Sequence, residues 1–182
     1  MSIVLGLLDT PSYILNIIDT FSKFVWSVPF NNKDGLTFSK AFEKIIQSAK
    51  SQKHKPPNLL HTDKGAEFEN KNFKALLNTY NIKMHHTQNL EKSSIIERFH
   101  RTLNNILKAQ FEVRNNKKWI DILQDLLYEY NFKDKHRSIG MTQSKVNKPN
   151  KDAVFQNLFK SREKKSTIKF QVGDRVRITS YK

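Results

Sequence analysis

The chain reads as an α/β protein: strands gathered in a sheet and flanked by helices. Three patterns predict this. The N-terminal thirty or so residues are short apolar, β-branched segments separated by turn residues. From Thr37 onward, apolar residues recur at helical spacing. Short apolar runs and helical stretches then alternate, which is the arrangement of a layered α/β domain.

In chain order, "IVLGLLD" from Ile3 to Asp9 predicts a first strand, with Thr10-Pro11-Ser12 as a tight turn. "YILNIID", Tyr13 to Asp19, and "KFVWSVPF", Lys23 to Phe30, predict two more, giving an antiparallel meander. Phe38, Ala41, Phe42, Ile45, Ile46 and Ala49 mark a helix from Thr37 to about Ser51. A loop with two prolines follows, and "NLLHTD" predicts a short buried strand ending at Asp63. Phe73, Leu76, Leu77 and Tyr80 share one face of a helix from Asn72 to Tyr80. "IKMHHT", Ile82 to Thr87, is a fifth strand. Ser93 to about Arg114 forms a long helix through Ile95, Ile96, Phe99, Leu103, Ile106 and Leu107, and Trp119 to Tyr130 another.

The composition changes after Asn147. Residues 148–167 are rich in Lys, Arg, Ser and Asn and read as a basic linker. Residues 168–182, with "IKFQVGDRVRI", alternate like a strand around a Gly-Asp turn and read as a short C-terminal β fragment, the start of a small truncated β-domain.

The chain has 182 residues, enough for one domain with a sizeable core. Lys plus Arg number 32 against 17 Asp plus Glu, a formal net charge of +15. Such an excess favours a polyanionic partner, nucleic acid first and an anionic membrane surface second. No apolar run is long enough to span a bilayer, and the N-terminus lacks the marks of a signal peptide. There are no cysteines, so disulfides and Cys-ligated zinc are excluded. An intracellular protein is expected.

Chemistry centres on two carboxylates. Asp63 ends an apolar run just before a glycine, at the C-terminal end of a strand, where α/β folds commonly place site residues. Glu97 lies in the first turns of the long helix; Arg101, Asn104 and Lys108 continue its face while the apolar residues take the other side. A carboxylate leading a stripe of basic and amide groups suits a hard cation held beside a phosphate backbone. Taken singly, each has a plainer reading: Asp63 as a turn or cap residue, Glu97 as an acid at a favourable helix-dipole position. His61, His85 and His86 read more simply as strand and loop residues than as metal ligands.

Four motifs in order weight the choice. "YILNIIDTFSKFVWSVPF", "LLHTDKGAEFENKNFKALLNTYNIKMHHT", "SSIIERFHRTLNNIL" and "YNFKDKHRSIGMT" resemble the integrase core of retroviruses and retrotransposons, most closely the form in Maverick/Polinton elements and virophages. The resemblance covers residues 12 to 146, and "FQVGDRVRI" resembles the opening strand of the SH3-like or chromodomain-like tail of such integrases. It implies an RNase H-like fold with a mixed five-stranded sheet, spanning residues 1–147, and an Asp-Asp-Glu triad holding two Mg²⁺ or Mn²⁺ ions. Asp63 then matches the second Asp and Glu97 the Glu, with about 33 residues between them. Lys64, after Asp63, stands where it could touch a phosphate. Asp19 matches a second-strand Asp that is not a metal ligand. The first Asp is open: Asp9 is the only acidic residue upstream of Asp19, and it serves if the first hairpin is shortened; otherwise the first carboxylate is missing.

The resemblance therefore implies DNA integration by metal-dependent phosphoryl transfer, 3′-end processing and strand transfer, for a transposon or virus-like element. DNA ends and target DNA would be the partners, with a homo-oligomer assembled on them and no membrane, in the nucleus or in a viral particle or factory. The alternative is an inactive integrase remnant that only binds nucleic acid.

Overall fold

β-Branched and apolar residues at five of the seven positions of Tyr13–Asp19 build a strand that is buried on both faces, and the sheet grows around it. The computed structural model describes residues 1–9, 13–62, 65–86, 90–159, 173 and 175; at residues 4, 6–9, 66 and 90–93 it describes the backbone alone. Strands β1 (Ser2–Asp9), β2 (Tyr13–Asp19) and β3 (Val25–Phe30) form an antiparallel meander, in register from Ile3↔Asp19 to Asp9↔Tyr13 and from Tyr13↔Phe30 to Ile18↔Val25. β4 (Leu59–Thr62) returns parallel to β1 through Ser2↔Leu59, Ile3↔Leu60 and Val4↔His61, and β5 (Lys83–His86) lies parallel to β4. The result is a mixed five-stranded sheet of order β3-β2-β1-β4-β5.

Each face of the sheet carries helices because β2 alternates its apolar side chains between them. Leu15 and Ile17, with Ile3, Leu5, Phe24 and Trp26, pack against α1 (Gly35–Ser51) and α2 (Lys71–Thr79). Ile14, Ile18 and Val25 pack on the other face against α3 (Leu90–Arg114) and α4 (Leu123–Tyr128). Both helices of the first layer start where an acceptor side chain satisfies orphan N–H groups: Asp34 accepts from Leu36 and Thr37, Asn70 from Phe73.

At the β2–β3 turn, Asp19 is buried and its Oδ2 accepts from the Ser22 N–H at 3.0 Å and the Ser22 hydroxyl at 2.6 Å. Lys23 follows with φ 61°, a left-handed conformation that costs a non-glycine residue about 1 kcal/mol. Asp19 thus has the structural place expected of it.

Three elements differ from the expected layout. The expected helix Trp119–Tyr130 begins only at Leu123; Trp119 is a buried anchor ahead of it, and the chain past Tyr128 continues as a π-turn, Glu129–Lys133. The extra residue of that turn directs Asn131 at the sheet edge. Its Oδ1 accepts from Val25 N–H at 2.9 Å and its Nδ2 donates to Val25 C=O at 2.8 Å. After the short hairpin β6 (Lys135–His136) and β7 (Met141–Thr142), α5 (Lys151–Phe159) occupies the first part of the expected linker. Asn147 and Asn150 bond each other's backbone N–H reciprocally at its start, and Val154 is its buried anchor. Of the expected β fragment at 168–182, only Gly173, in a turn with φ 106°, and Arg175 are described.

Candidate active site

The end of β4 is held on both sides. His61 and Thr62 are buried between β1 and β5. The Thr62 hydroxyl lies 3.2 Å from His86 Nδ1, and His86 Nε2 lies 2.7 Å from Glu69 Oε1. Glu69 also takes Lys74 Nζ at 2.5 Å; the hydrogen bond from Lys74, with the nearby His86, holds its carboxyl below the usual range. On the far side, Phe68 N–H donates to Gly65 C=O at 3.1 Å, closing a 3₁₀ turn over Ala66–Phe68. A Cβ on Gly65 would sit 2.6 Å from the Glu67 carboxylate, so glycine is what lets Glu67 lie across this turn. Asp63 and Lys64 fall between these two anchored points and lie outside the described residues.

Glu97 sits on the solvent side of α3, opposed to Ile96, Phe99, Leu103 and Leu107, which are buried against the sheet. Among the described residues its carboxylate makes no hydrogen bond or ion pair. Arg101 and Lys108 are exposed and Asn104 half-buried on the same side, likewise without such partners. Glu97, Arg101, Asn104 and Lys108 thus share the side of α3 away from the sheet, with Glu97 unpartnered among the described residues.

β1 and β4 run parallel, so the Asp9 end of β1 and the Thr62 end of β4 lie at the same end of the sheet. The first turns of α3, through Ser94, Ile95 and Arg98, share a cavity wall with Ser2 and Ile18. Asp9 is the last residue of β1, paired with Tyr13, so seven strand residues, roughly 23 Å at the usual rise, separate it from Ser2. The β1 residue that follows the Val4↔His61 rung is Leu5, buried in the core.

The donor chemistry suits a hard cation in part. An acceptor-only carboxylate with free oxygens is the ligand type that Mg²⁺ and Mn²⁺ take. Among the described residues no group of three or more His, Cys, Asp or Glu could hold a metal ion, and Asp63 lies outside them. His61 faces His85 edge-on at 5.7 Å in a ring contact, and His86 is engaged by Thr62 and Glu69.

Comparison with known proteins settles the architecture. The chain superposes on the catalytic core domain of BIV integrase with TM-score 0.66 and 18% identity, covering 85% of this chain and 97% of that one. The fold is the RNase H-like fold of integrase catalytic cores. The HTLV-2 integrase core solved with magnesium gives TM-score 0.66 at 16% identity, covering 80% of this chain and 95% of that one. A chain of the simian T-cell lymphotropic virus intasome gives 0.69 at 15% identity, covering 99% of this chain and 59% of that one. In sequence, residues 4–90 match the Integrase core domain, a span that holds Asp9, Asp19 and Asp63 and stops before Glu97. A transposon-derived protein of Caenorhabditis elegans is 26% identical over 94% of this chain, and the Gag-Pol polyprotein of Walleye dermal sarcoma virus 28% over 81%. The chain spans 56% of the first and 8% of the second.

Asn131, inside the motif "YNFKDKHRSIGMT", clamps the sheet edge at Val25. No helix among the described residues is long and apolar enough to cross a membrane.

Proposed function

We propose that the chain acts on DNA as the catalytic core of an integrase, joining the ends of a transposon or virus-like element of the Maverick/Polinton kind to target DNA. The carrying observation is the Glu97 carboxylate, unpartnered among the described residues, at the head of the Arg101–Asn104–Lys108 stripe on the helix layer of an integrase-core fold. Asp63 and Glu97 are the proposed metal ligands, with Asp9 as the candidate third. Bound divalent cations supply Lewis-acid stabilisation of the attacking and leaving oxygens in an in-line displacement. The chain's own part is positional. Arg101 and Lys108 offer positive charge to phosphate oxygens, Asn104 offers an amide donor, and Lys64, next to Asp63, a further cation. Contacts of this kind read backbone and not base, so binding is expected to depend weakly on sequence. Magnesium in the HTLV-2 core, and its dimeric and trimeric forms, support divalent metal use and a homo-oligomer on paired DNA ends.

A second reading, a remnant that binds DNA without chemistry, rests on one observation: Leu5, apolar and buried in the core, fills the β1 position just beyond the Val4↔His61 rung. Nicking and strand transfer with Mg²⁺ or Mn²⁺ separate the two. The integrase reading expects activity that Asp63→Asn and Glu97→Gln each abolish, and that Asp9→Asn abolishes if Asp9 is a ligand. Full activity in Asp63→Asn would sink it. Salt-sensitive DNA binding with no activity in the intact chain supports the remnant.

A further inference from the structure

A cavity of about 1000 Å³ lies between the Ser2 end of the sheet, α3 and the segment 130–143, with Leu158 and Phe159 of α5 in its wall. Neither Glu97 nor Arg101, Asn104 or Lys108 lines it; it opens on the neighbouring side of α3. We propose that this cavity is a binding site for clustered phosphoryl groups, carried either by a free polyphosphate such as a nucleoside triphosphate or by the 5′-phosphorylated end of a nucleic-acid strand. The proposal does not depend on the metal-dependent reaction.

Charge is the first argument. Four separate elements deliver cations to the wall: Lys23 from the β2–β3 turn, Arg98 from α3, Lys135 from β6 and Arg137 from the β6–β7 turn. Among the described residues, Asp134 is the only carboxylate in the lining. None of the four cations forms an ion pair with a described residue. Lys23 is buried and spends one proton on the Thr20 carbonyl at 2.5 Å. Like charges gathered on one concavity repel each other and are stabilised by a multivalent anion.

The crowding registers in the groups themselves. Burial pushes the Lys23 ammonium down to about 8, against the pull of Asp19, and Arg98 adds to the lowering. Burial likewise pushes the His136 imidazole down to about 4, and Lys23 and Arg98 lower it further. The His136 Nδ1 accepts from Ser138 N–H at 3.2 Å. Three groups from three elements therefore sit within electrostatic reach of one another around the same space.

Unspent hydrogen-bonding capacity is the second argument. Gln143 lines the cavity and is only 1% exposed, yet neither its amide nitrogen nor its amide oxygen makes a hydrogen bond. The Tyr130 hydroxyl is near that amide without reaching acceptable geometry. A buried amide nitrogen left without an acceptor is costly, and a phosphoryl oxygen can accept from the Gln143 Nε2. The volume suits a ligand of drug or nucleotide size, and the partly exposed Phe21 and Phe159 give it an apolar rim. The helix α5, in a segment whose composition reads as a linker, has a reason to be there: it completes this wall.

Calorimetric titration of the full chain with sodium tripolyphosphate, in EDTA and at constant ionic strength, tests the site. Saturable one-to-one binding is expected. Lys135→Gln with Arg137→Gln, and separately Arg98→Gln, should each weaken it at least tenfold, while Lys117→Gln with Lys118→Gln, exposed charges of the α3–α4 loop, should change it less than twofold. All replaced side chains are exposed, and circular dichroism confirms that each variant is folded. A 5′-phosphorylated trinucleotide compared with its unphosphorylated form distinguishes the sources: tighter binding of the phosphorylated strand than of tripolyphosphate assigns the site to a strand end, the reverse to a free polyphosphate. No saturable binding, or equal losses in the cavity and loop variants, overturns the proposal. With EDTA present, that failure leaves the integrase reading untouched, and an inactive integrase leaves this site untouched.

Discussion

Asn131→Ala removes both partners of an edge-strand residue at once. β3 is the outermost strand on its side, so the outward N–H and C=O of Val25 have no strand to pair with. The Asn131 amide supplies one acceptor at 2.9 Å and one donor at 2.8 Å in a place where Asn131 itself is 3% exposed. Truncation leaves two buried backbone groups unsatisfied, each costing about 1–3 kcal/mol, for about 2–6 kcal/mol together. In a chain of this size that is about 4–24 °C in Tm. Urea unfolding should show a lower midpoint with an unchanged slope. Asn131→Asp sharpens the test. Ionised, the new carboxylate accepts from Val25 N–H but cannot donate to Val25 C=O; protonated, it does both. Its pKa is then raised in the folded state, so the folded protein binds the proton more tightly and stability rises as pH falls from neutral through the folded pKa toward the unfolded value of about 3.9. A loss under about 0.5 kcal/mol in Asn131→Ala would refute the edge-clamp reasoning.

Three further outcomes are expected. Affinity for a labelled duplex should fall steeply with salt, and Arg101→Gln and Lys108→Gln should each reduce the slope of log K against log salt by roughly 0.9; fluorescence anisotropy measures it, and slopes identical to the parent count against the stripe. Phe73 packs edge-on at 4.9 Å to Phe38 and 5.0 Å to Phe42, fully buried, so Phe73→Ala should cost about 3–5 kcal/mol in chemical denaturation. Lys23 has a depressed pKa near 8 and φ 61°. Because the unfolded chain holds that proton more tightly, stability should rise as pH climbs from about 8 toward the unfolded value of about 10.4. Lys23→Gly should flatten that rise and add about 1 kcal/mol, read from thermal melts across the window.

The strands and long helices were legible because their signals are local. β2 and β3 are predominantly apolar runs, and α1 and α3 carry their buried residues at helical spacing. What escaped depends on distant partners. Nothing near Asn131 announces that it will meet Val25, 106 residues earlier, or that a π-turn is needed to aim it. α5 escaped because one buried residue, Val154, holds a helix whose remaining surface is polar or exposed. For the candidate site, the placing of Glu97, Arg101, Asn104 and Lys108 on one side of a helix was readable from helix periodicity, while Asp63 and Lys64 lie outside the described residues. Asp9 could not be placed from sequence, because its position is set by the pairing of β1 with β2 and β4 and not by its neighbours in the chain.

The strand order has a consequence for birth on the ribosome. β1 is made early and sits at the centre of the sheet, yet its partner on one side, β4, begins only at Leu59. The β1–β2–β3 meander and α1 can assemble locally as they emerge, while the other side of β1 waits for fifty more residues of synthesis after Asp9. At about 5–20 residues per second that is about 3–10 s in which a nascent chain presents an open, apolar strand edge. Translation speed through residues 10–58 should therefore govern how much of this protein reaches the soluble fraction, with slow codons there favouring inclusion bodies.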